Sequence, residues 1–112
     1  MPASDLDDRT FTKTLSASRG LCVVDFHASW CGPCIMFKPK FKRISGEYSD
    51  VTFYMVDGET APKARKTVTI EALPYFAIYR DGVFVEGIST DQEPVFREFI
   101  ERHRAAAQGS EA

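Results

Sequence analysis

The sequence predicts an α/β domain in which helices cover both faces of a central mixed β-sheet. An apolar run at residues 21–26, a helical pattern after Cys34 and a second apolar run at residues 51–56 make a parallel βαβ unit. Two further strand-like runs then flank Asp81-Gly82, a dipeptide typical of tight hairpins, and an amphipathic helix follows them. A βαβ unit followed by a ββα unit gives a sheet with both parallel and antiparallel strands.

The elements before the first apolar run are short. Residues 1–6 contain Pro2 and few side chains that favour strands, so we expect a first strand to be very short or missing. Phe11 and Leu15 are four residues apart among Ser and Thr residues. This spacing predicts a short amphipathic helix that ends near Gly20.

The helix after Cys34 has the clearest periodicity. Its apolar residues recur at helical spacing and are Phe37, Phe41, Ile44 and Tyr48. Pro39 should kink the helix one turn after its start. The Lys and Arg residues between Lys38 and Arg43 are most simply a solvated face, with a lesser role in guiding acidic partners as the alternative.

The second half of the chain contains a short helix, a hairpin and a final helix. Thr60 is a suitable cap for a helix at residues 60–66, which has an early proline. Residues 75–79 and 83–88 are the hairpin strands. The last helix should begin near Thr90 or Asp91; its apolar face comprises Val95, Phe96, Phe99, Ile100 and His103, and residues 105–112 should fray.

Length and composition predict one domain. The 112 residues are 44% hydrophobic and include nine Phe and four Tyr, which suffices for a single core spanning about residues 7–104 of a domain at 1–112. A net charge of −2 gives no reason to expect nucleic acid binding. The apolar runs are far shorter than the roughly 18 residues that a membrane span needs, so no membrane role is expected.

The N-terminus predicts a cytoplasmic protein. Residues 1–8 are acidic, with neither the basic start of a secretory signal nor the Arg-rich pattern of a transit peptide. In a reducing compartment the three cysteines are not a disulfide framework, and a closely spaced pair is either catalytic or metal-binding.

Trp30-Cys31-Gly32-Pro33-Cys34 is the most informative segment. Two thiols separated by two residues can form a disulfide by local rotation alone, which suits a redox switch. Pro33 fits the first turn of a helix, so Cys31 should lie at or beside the N-cap. There the free N–H groups and the positive end of the helix dipole favour a thiolate, which makes Cys31 the predicted nucleophile.

The cysteine pair could also be a structural disulfide or half of a zinc site. A structural disulfide across so short a loop would add only about 2 kcal/mol. A zinc site would need further ligands from Cys22, His27 or His103, none of which forms a second pair at metal spacing. We therefore expect no metal, a core position for Cys22 and a packing or surface position for His27.

Three segments carry a family resemblance: DFHASWCGPC at residues 25–34, Pro39, and IEALP at residues 70–74. They match the active-site strand and turn, the helix-kinking proline and the cis-proline loop of the thioredoxin family. The match covers about residues 7 to 103. It implies the thioredoxin fold.

The resemblance agrees with a mechanism that the residues themselves suggest. Cys31 attacks a substrate disulfide, and Cys34 then attacks Cys31 and releases the reduced substrate. Asp25 lies on an otherwise apolar strand, where desolvation should raise its pKa and let it accept the Cys34 proton. The matching aspartate has this role in the family.

The resemblance also implies a substrate-binding surface. A peptide strand would pair with free backbone groups beside Pro74, which is cis in the family, and lie in a shallow apolar groove. The implied binding residues are Trp30, Gly32, Pro33, Leu73, Pro74, Tyr75 and Thr90, together with neighbouring Ser89.

The implied function is protein-disulfide reduction that supports cell redox homeostasis. A member of this family needs no bound cofactor and is re-reduced by an NADPH-dependent thioredoxin reductase. Its implied substrates include peroxiredoxins, ribonucleotide reductase and methionine sulfoxide reductase, and the protein is expected to be a monomer. The alternatives are a non-catalytic binding module or subunit and, less favoured, an oxidant or isomerase.

Four residues depart from the family pattern. Ile35 replaces a common cation after the second cysteine, and Tyr75 replaces a usual Thr after the cis-proline. Thr90 stands where many members have Gly. Met55 replaces a Lys that often faces the buried aspartate, so the carboxyl should lose a stabilising charge.

Overall fold

The computed structural model describes residues 3–109, which form five strands and four helices. In chain order these are β1 (Ser4–Leu6), α1 (Phe11–Ala17), β2 (Leu21–His27), α2 (Gly32–Ser45), β3 (Val51–Asp57), α3 (Pro62–Arg65), β4 (Tyr75–Arg80), β5 (Val83–Ser89) and α4 (Glu93–Gly109). The sheet has the order β1-β3-β2-β4-β5. β1 and β2 run parallel to β3, whereas β4 runs antiparallel to both β2 and β5. The predicted fold class is confirmed.

The first strand is formed, but it has only three residues. Leu6 is its one buried side chain, and Ser4 to Leu6 pair with Tyr54 to Val56 of β3. Pairing with an established strand thus compensates for a sequence with little strand propensity.

The sheet separates two apolar cores. Alternate residues of β2 and β4 point to opposite faces, because side chains alternate along a strand. Val23 and Phe76 pack against Phe37 of α2 and Phe96 of α4 in the first core, which we call the α2/α4 core. The second, the α1/α3 core, contains Phe11, Leu15, Val24, Phe26, Ala64, Tyr75 and Tyr79.

The cap of α3 differs from the prediction. The helix begins after Ala61, and the Thr60 hydroxyl donates to the Asp57 carbonyl oxygen instead of capping it. The Asp8 carboxylate accepts hydrogen bonds from the backbone N–H groups of Lys63 (3.2 Å) and Ala64 (2.8 Å). The cap therefore comes from a residue distant in sequence.

The hairpin turn has the predicted geometry. Asp81 and Gly82 both have positive φ, of 52° and 82°, which matches the twist of the two strands. A Cβ at Gly82 would come within 2.6 Å of the Leu15 carbonyl oxygen. The Asp81 carboxylate also accepts the Gly20 N–H at 2.8 Å, so the turn is fastened to the end of α1.

The final helix starts later and ends later than predicted. Thr90 forms a turn in which its hydroxyl accepts the Gln92 N–H, and α4 begins at Glu93. The helix continues through the alanines to Gly109, so residues 105–109 are helical; the rest of the predicted frayed tail, residues 110–112, lies outside the described residues. Val95 is half exposed, but the rest of the predicted face is buried.

Among residues 3–109, none of the helices has the length and apolar character needed to cross a bilayer.

Candidate active site

The loop between β2 and α2 is fixed at both ends. The Cys31 N–H donates to the Ala28 carbonyl oxygen at 3.2 Å. The backbone N–H and hydroxyl of Ser29 both donate to a Glu59 carboxylate oxygen, at 2.9 and 2.6 Å. Glu59 follows β3 and was not among the predicted site residues, since only the folded sheet brings it to this loop.

Cys31 is the N-cap of α2, as predicted. Its backbone is extended, Gly32 and Pro33 open the helix, and the Cys34 N–H donates to the Cys31 Sγ at 3.2 Å. The two cysteines form a disulfide, with their Cα atoms 5.3 Å apart. In the reduced protein the same N–H and the helix dipole would favour a thiolate at Cys31.

Exposure does not distinguish the two thiols in the disulfide form. Cys31 is 4% exposed and Cys34 is 6% exposed. Both pack against Ala28 and half-buried Leu73, because the disulfide turns each sulfur toward the other and away from solvent. The N-cap position, rather than exposure, identifies Cys31 as the nucleophile.

Asp25 lies on β2, on the α2 side of the sheet. It is two residues after Val23 on β2 and therefore points to the same face, toward the α2/α4 core. Its side chain is 3% exposed, and its Oδ1 atom has no hydrogen-bond partner within the described residues. Burial raises the pKa of Asp25 to about 7, and the positive charge of Lys38 opposes this rise. The carboxyl can therefore accept and release a proton near neutral pH.

The charge that acts on Asp25 comes from α2 instead of β3. Met55 is the register partner of Asp25 and is buried in the α2/α4 core, as the sequence suggested. Lys38 holds down the pKa of Asp25, a contribution that the prediction of a merely solvated helix face missed. The helical periodicity of α2 identifies an exposed face, but it does not show which lysine on that face acts on Asp25.

The cis-proline loop lies against the disulfide. The Leu73–Pro74 peptide bond is cis, Pro74 is buried and Leu73 contacts the cysteine cluster. The Ser89 hydroxyl donates to the Ala72 carbonyl oxygen at 2.8 Å and holds the loop to the end of β5. Thr90 is half-buried beside it.

An exposed apolar surface borders the disulfide. Trp30 and Met36 are each 71% exposed and Ile35 is 59% exposed, although large apolar side chains are usually buried. Gly32 and Pro33 are exposed as well. Exposed apolar side chains beside a reactive centre are typical of a protein-binding site.

Tyr75 does not contribute its side chain to this surface. The ring is buried in the α1/α3 core, with its centroid 6.1 Å from that of Phe26, and its hydroxyl lies over Gly87. Strand alternation explains this position, because Tyr75 is the first residue of β4 and points to the face opposite Asp25. Only its backbone is placed near the loop.

Cys22 and His103 lie away from the disulfide. Cys22 is fully buried in the α1/α3 core, where burial raises the pKa of its thiol. His103 packs on Phe99 and contacts Glu86. Within residues 3–109 no group of three or more His, Cys, Asp or Glu side chains is placed to hold a metal ion.

The sequence comparisons settle the family. The family model described as Thioredoxin matches residues 3–102, which is most of the chain. The chain belongs to the thioredoxin family. Thioredoxin-1 of Schizosaccharomyces pombe is 37% identical to this thioredoxin over 83 residues, covering 74% of this chain and 81% of the yeast protein. Thioredoxin H2-1 of Oryza sativa subsp. japonica is 45% identical over 62 residues, covering 55% of this chain and only 45% of the rice protein.

Solved structures show the same fold over nearly the whole chain. Spinach chloroplast thioredoxin f (short form) has a TM-score of 0.85 at 26% identity, and the alignment covers 92% of this chain and 94% of the spinach chain. A chain from the complex of ferredoxin:thioredoxin reductase with thioredoxin f2 also has a TM-score of 0.85, at 27% identity, with 92% and 96% covered.

Family and geometry together define the chemistry. This thioredoxin is a disulfide oxidoreductase whose Cys31–Cys34 pair cycles between dithiol and disulfide. Proteins of this family need no bound cofactor, since the electrons are carried by the two sulfurs.

Proposed function

We propose that this thioredoxin reduces disulfides in proteins through Cys31 and is re-reduced by an NADPH-dependent thioredoxin reductase, as a monomer in the cytoplasm. The observation that carries the proposal is the position of the disulfide. The disulfide caps α2, the strand that leads to it carries the buried Asp25 carboxyl, and exposed apolar side chains adjoin the two cysteines in sequence.

Reduction proceeds by two exchanges. The Cys31 thiolate attacks one sulfur of the substrate disulfide, and the other substrate sulfur leaves with the electron pair of the broken bond. The Cys34 thiol then gives its proton to Asp25, and its thiolate attacks the Cys31 sulfur. The second substrate sulfur leaves, so the substrate gains two thiols and the protein gains one disulfide.

The surroundings favour protein substrates over small disulfides. The apolar side chains of Trp30, Ile35 and Met36 offer an area that a small molecule would not cover. We propose that an extended substrate segment pairs with the backbone of the loop at Pro74, whose peptide bond is cis. Peroxiredoxins, ribonucleotide reductase and methionine sulfoxide reductase are the proposed substrate proteins.

Re-reduction has two candidate donors. A structural neighbour of this chain occurs in complex with ferredoxin:thioredoxin reductase, which supports a reductase as a partner but not its type. We propose the NADPH-dependent enzyme as the donor and the ferredoxin-linked enzyme as the alternative that the assay below distinguishes. Cytoplasmic electron transport from NADPH would follow.

One assay tests the proposal. A protein disulfide is incubated with the wild-type chain and NADPH plus thioredoxin reductase, or with reduced ferredoxin plus its reductase, and substrate thiols are measured. We expect turnover with the first pair and none with a Cys31→Ser, Cys34→Ser double variant. Turnover with ferredoxin alone would contradict the proposed donor. Unchanged partner binding and biological function in the double variant would contradict a reductase and support a binding module.

A further inference from the structure

A cavity lined by both polar and apolar side chains, the latter from Ala28 and Ile35, lies beside the resolving cysteine. It has a volume of about 190 Å³, and Cys34 shares its lining with the polar side chains of His27, Ser29, Lys38 and Asp57. A water molecule occupies roughly 30 Å³ in the liquid and needs two to four polar partners in a protein, so this cavity suits a short chain of waters.

His27 faces this cavity from the end of β2. It is two residues beyond Asp25 and therefore on the same face of the sheet, and its register partner on β3 is Asp57. The Nε2 atom is buried without a hydrogen-bond partner within the described residues, and so is the Asp25 Oδ1. A buried polar atom without a hydrogen bond lowers the stability of the fold. A water molecule that bonds to both atoms would remove this cost and would also give a path for a proton.

The charges around His27 come from three elements. Burial lowers the pKa of His27, Asp57 on β3 and Asp5 on β1 raise it, and Lys38 on α2 lowers it. The net effect is a lower pKa, so the imidazole is mainly neutral near pH 7 and able to accept a proton. Asp25, with a pKa of about 7, gains and loses its proton near neutral pH.

We propose that His27 transfers protons between Asp25 and solvent while Cys34 resolves the mixed disulfide, an inference that rests on the proposed function. The Cys34 proton moves to Asp25 as the Cys34–Cys31 bond forms and the Cys31–substrate bond breaks. It then passes from Asp25 to the His27 Nε2, two residues away on the same face of β2, and from the imidazole through the cavity to solvent, which restores the carboxylate. When the disulfide is reduced again, a proton returns to Cys34 along the same path.

A two-step colour reaction measures the rate of Cys31 attack and the rate of Cys34 resolution separately. When the reduced protein reacts with a symmetrical aromatic disulfide, Cys31 attack releases one coloured thiolate and Cys34 resolution releases a second. Near pH 7 part of Asp25 is already protonated and must lose that proton before it can accept the one from Cys34. We therefore expect His27→Phe to slow the second release at least about tenfold at pH 7 and to leave the first within about twofold, a loss smaller than that of a directly acting acid or base.

Two further variants distinguish proton transfer from packing. His27→Gln keeps the polarity but cannot carry a proton, so it should show the same loss; added imidazole should restore the second release in both variants. His103→Gln changes the other histidine, on α4, and should leave the pH profile of the second release unchanged. An unchanged second release in both His27 variants, or equal slowing of both releases, would overturn the inference. Failure of wild type to give any second release would instead contradict the exchange mechanism itself.

Discussion

Replacing Asp25 by Asn should remove the pH dependence of the unfolding free energy that this buried carboxyl causes. A pKa of about 7 in the folded protein against an ordinary value of 3.8 corresponds to about 4 kcal/mol. Because the folded-state pKa is raised, the carboxyl stabilises the fold while it is protonated. This contribution is complete below pH 3.8 and is lost as the pH rises through about 7.

The assay is urea unfolding of the oxidised wild type and Asp25→Asn between pH 5 and pH 9. Across this window the wild type should lose about 3 kcal/mol relative to the variant, which has no carboxyl to ionise. Asp25→Ala serves as a second comparison, since it also lacks the carboxyl but differs in shape. If the difference in unfolding free energy between wild type and either variant stays constant from pH 5 to pH 9, Asp25 does not titrate near 7 and cannot be the proposed proton acceptor.

Two further predictions concern residues near the site. Lys38→Met should raise the pKa of Asp25, by less than about one pH unit because an exposed charge acts largely through water; a titration of the Asp25 carboxyl chemical shift that does not move would contradict this. Gly87→Ala should lower the unfolding free energy by about 1–3 kcal/mol, since its Cβ would overlap the Tyr75 hydroxyl. Gly32→Ala, whose Cβ meets no atom within 4 Å, is the matched control and should cost no stability in the same denaturation experiment.

Periodicity and turn chemistry predicted most of the fold. The spacing of Phe37, Phe41 and Ile44 placed α2, and Asp81-Gly82 placed the hairpin, because both signals depend on neighbouring residues alone. The cap of α3 could not be predicted in this way. Asp8 follows β1, and the pairing of β1 with β3 places it at the start of α3.

The candidate site was predicted in its chemistry but not in all of its contacts. Cys31 at the N-cap and the buried Asp25 followed from local sequence, and the structure agrees with both. The orientation of Tyr75 depends on strand register, and the effect of the Lys38 charge on the Asp25 pKa depends on how α2 lies on the sheet. Neither can be read from residues that are neighbours in sequence.

The order in which the two cysteines react is the most direct test of the mechanism. Cys31 and Cys34 are almost equally buried in the disulfide, so only the N-cap geometry assigns the attacking sulfur. The measurement is the amount of mixed disulfide that each single variant forms with a protein substrate. Cys34→Ser should accumulate the mixed disulfide because its resolving thiol is missing, whereas Cys31→Ser should accumulate almost none. Equal accumulation by the two variants, or accumulation by Cys31→Ser alone, would contradict the assignment of Cys31 as the nucleophile.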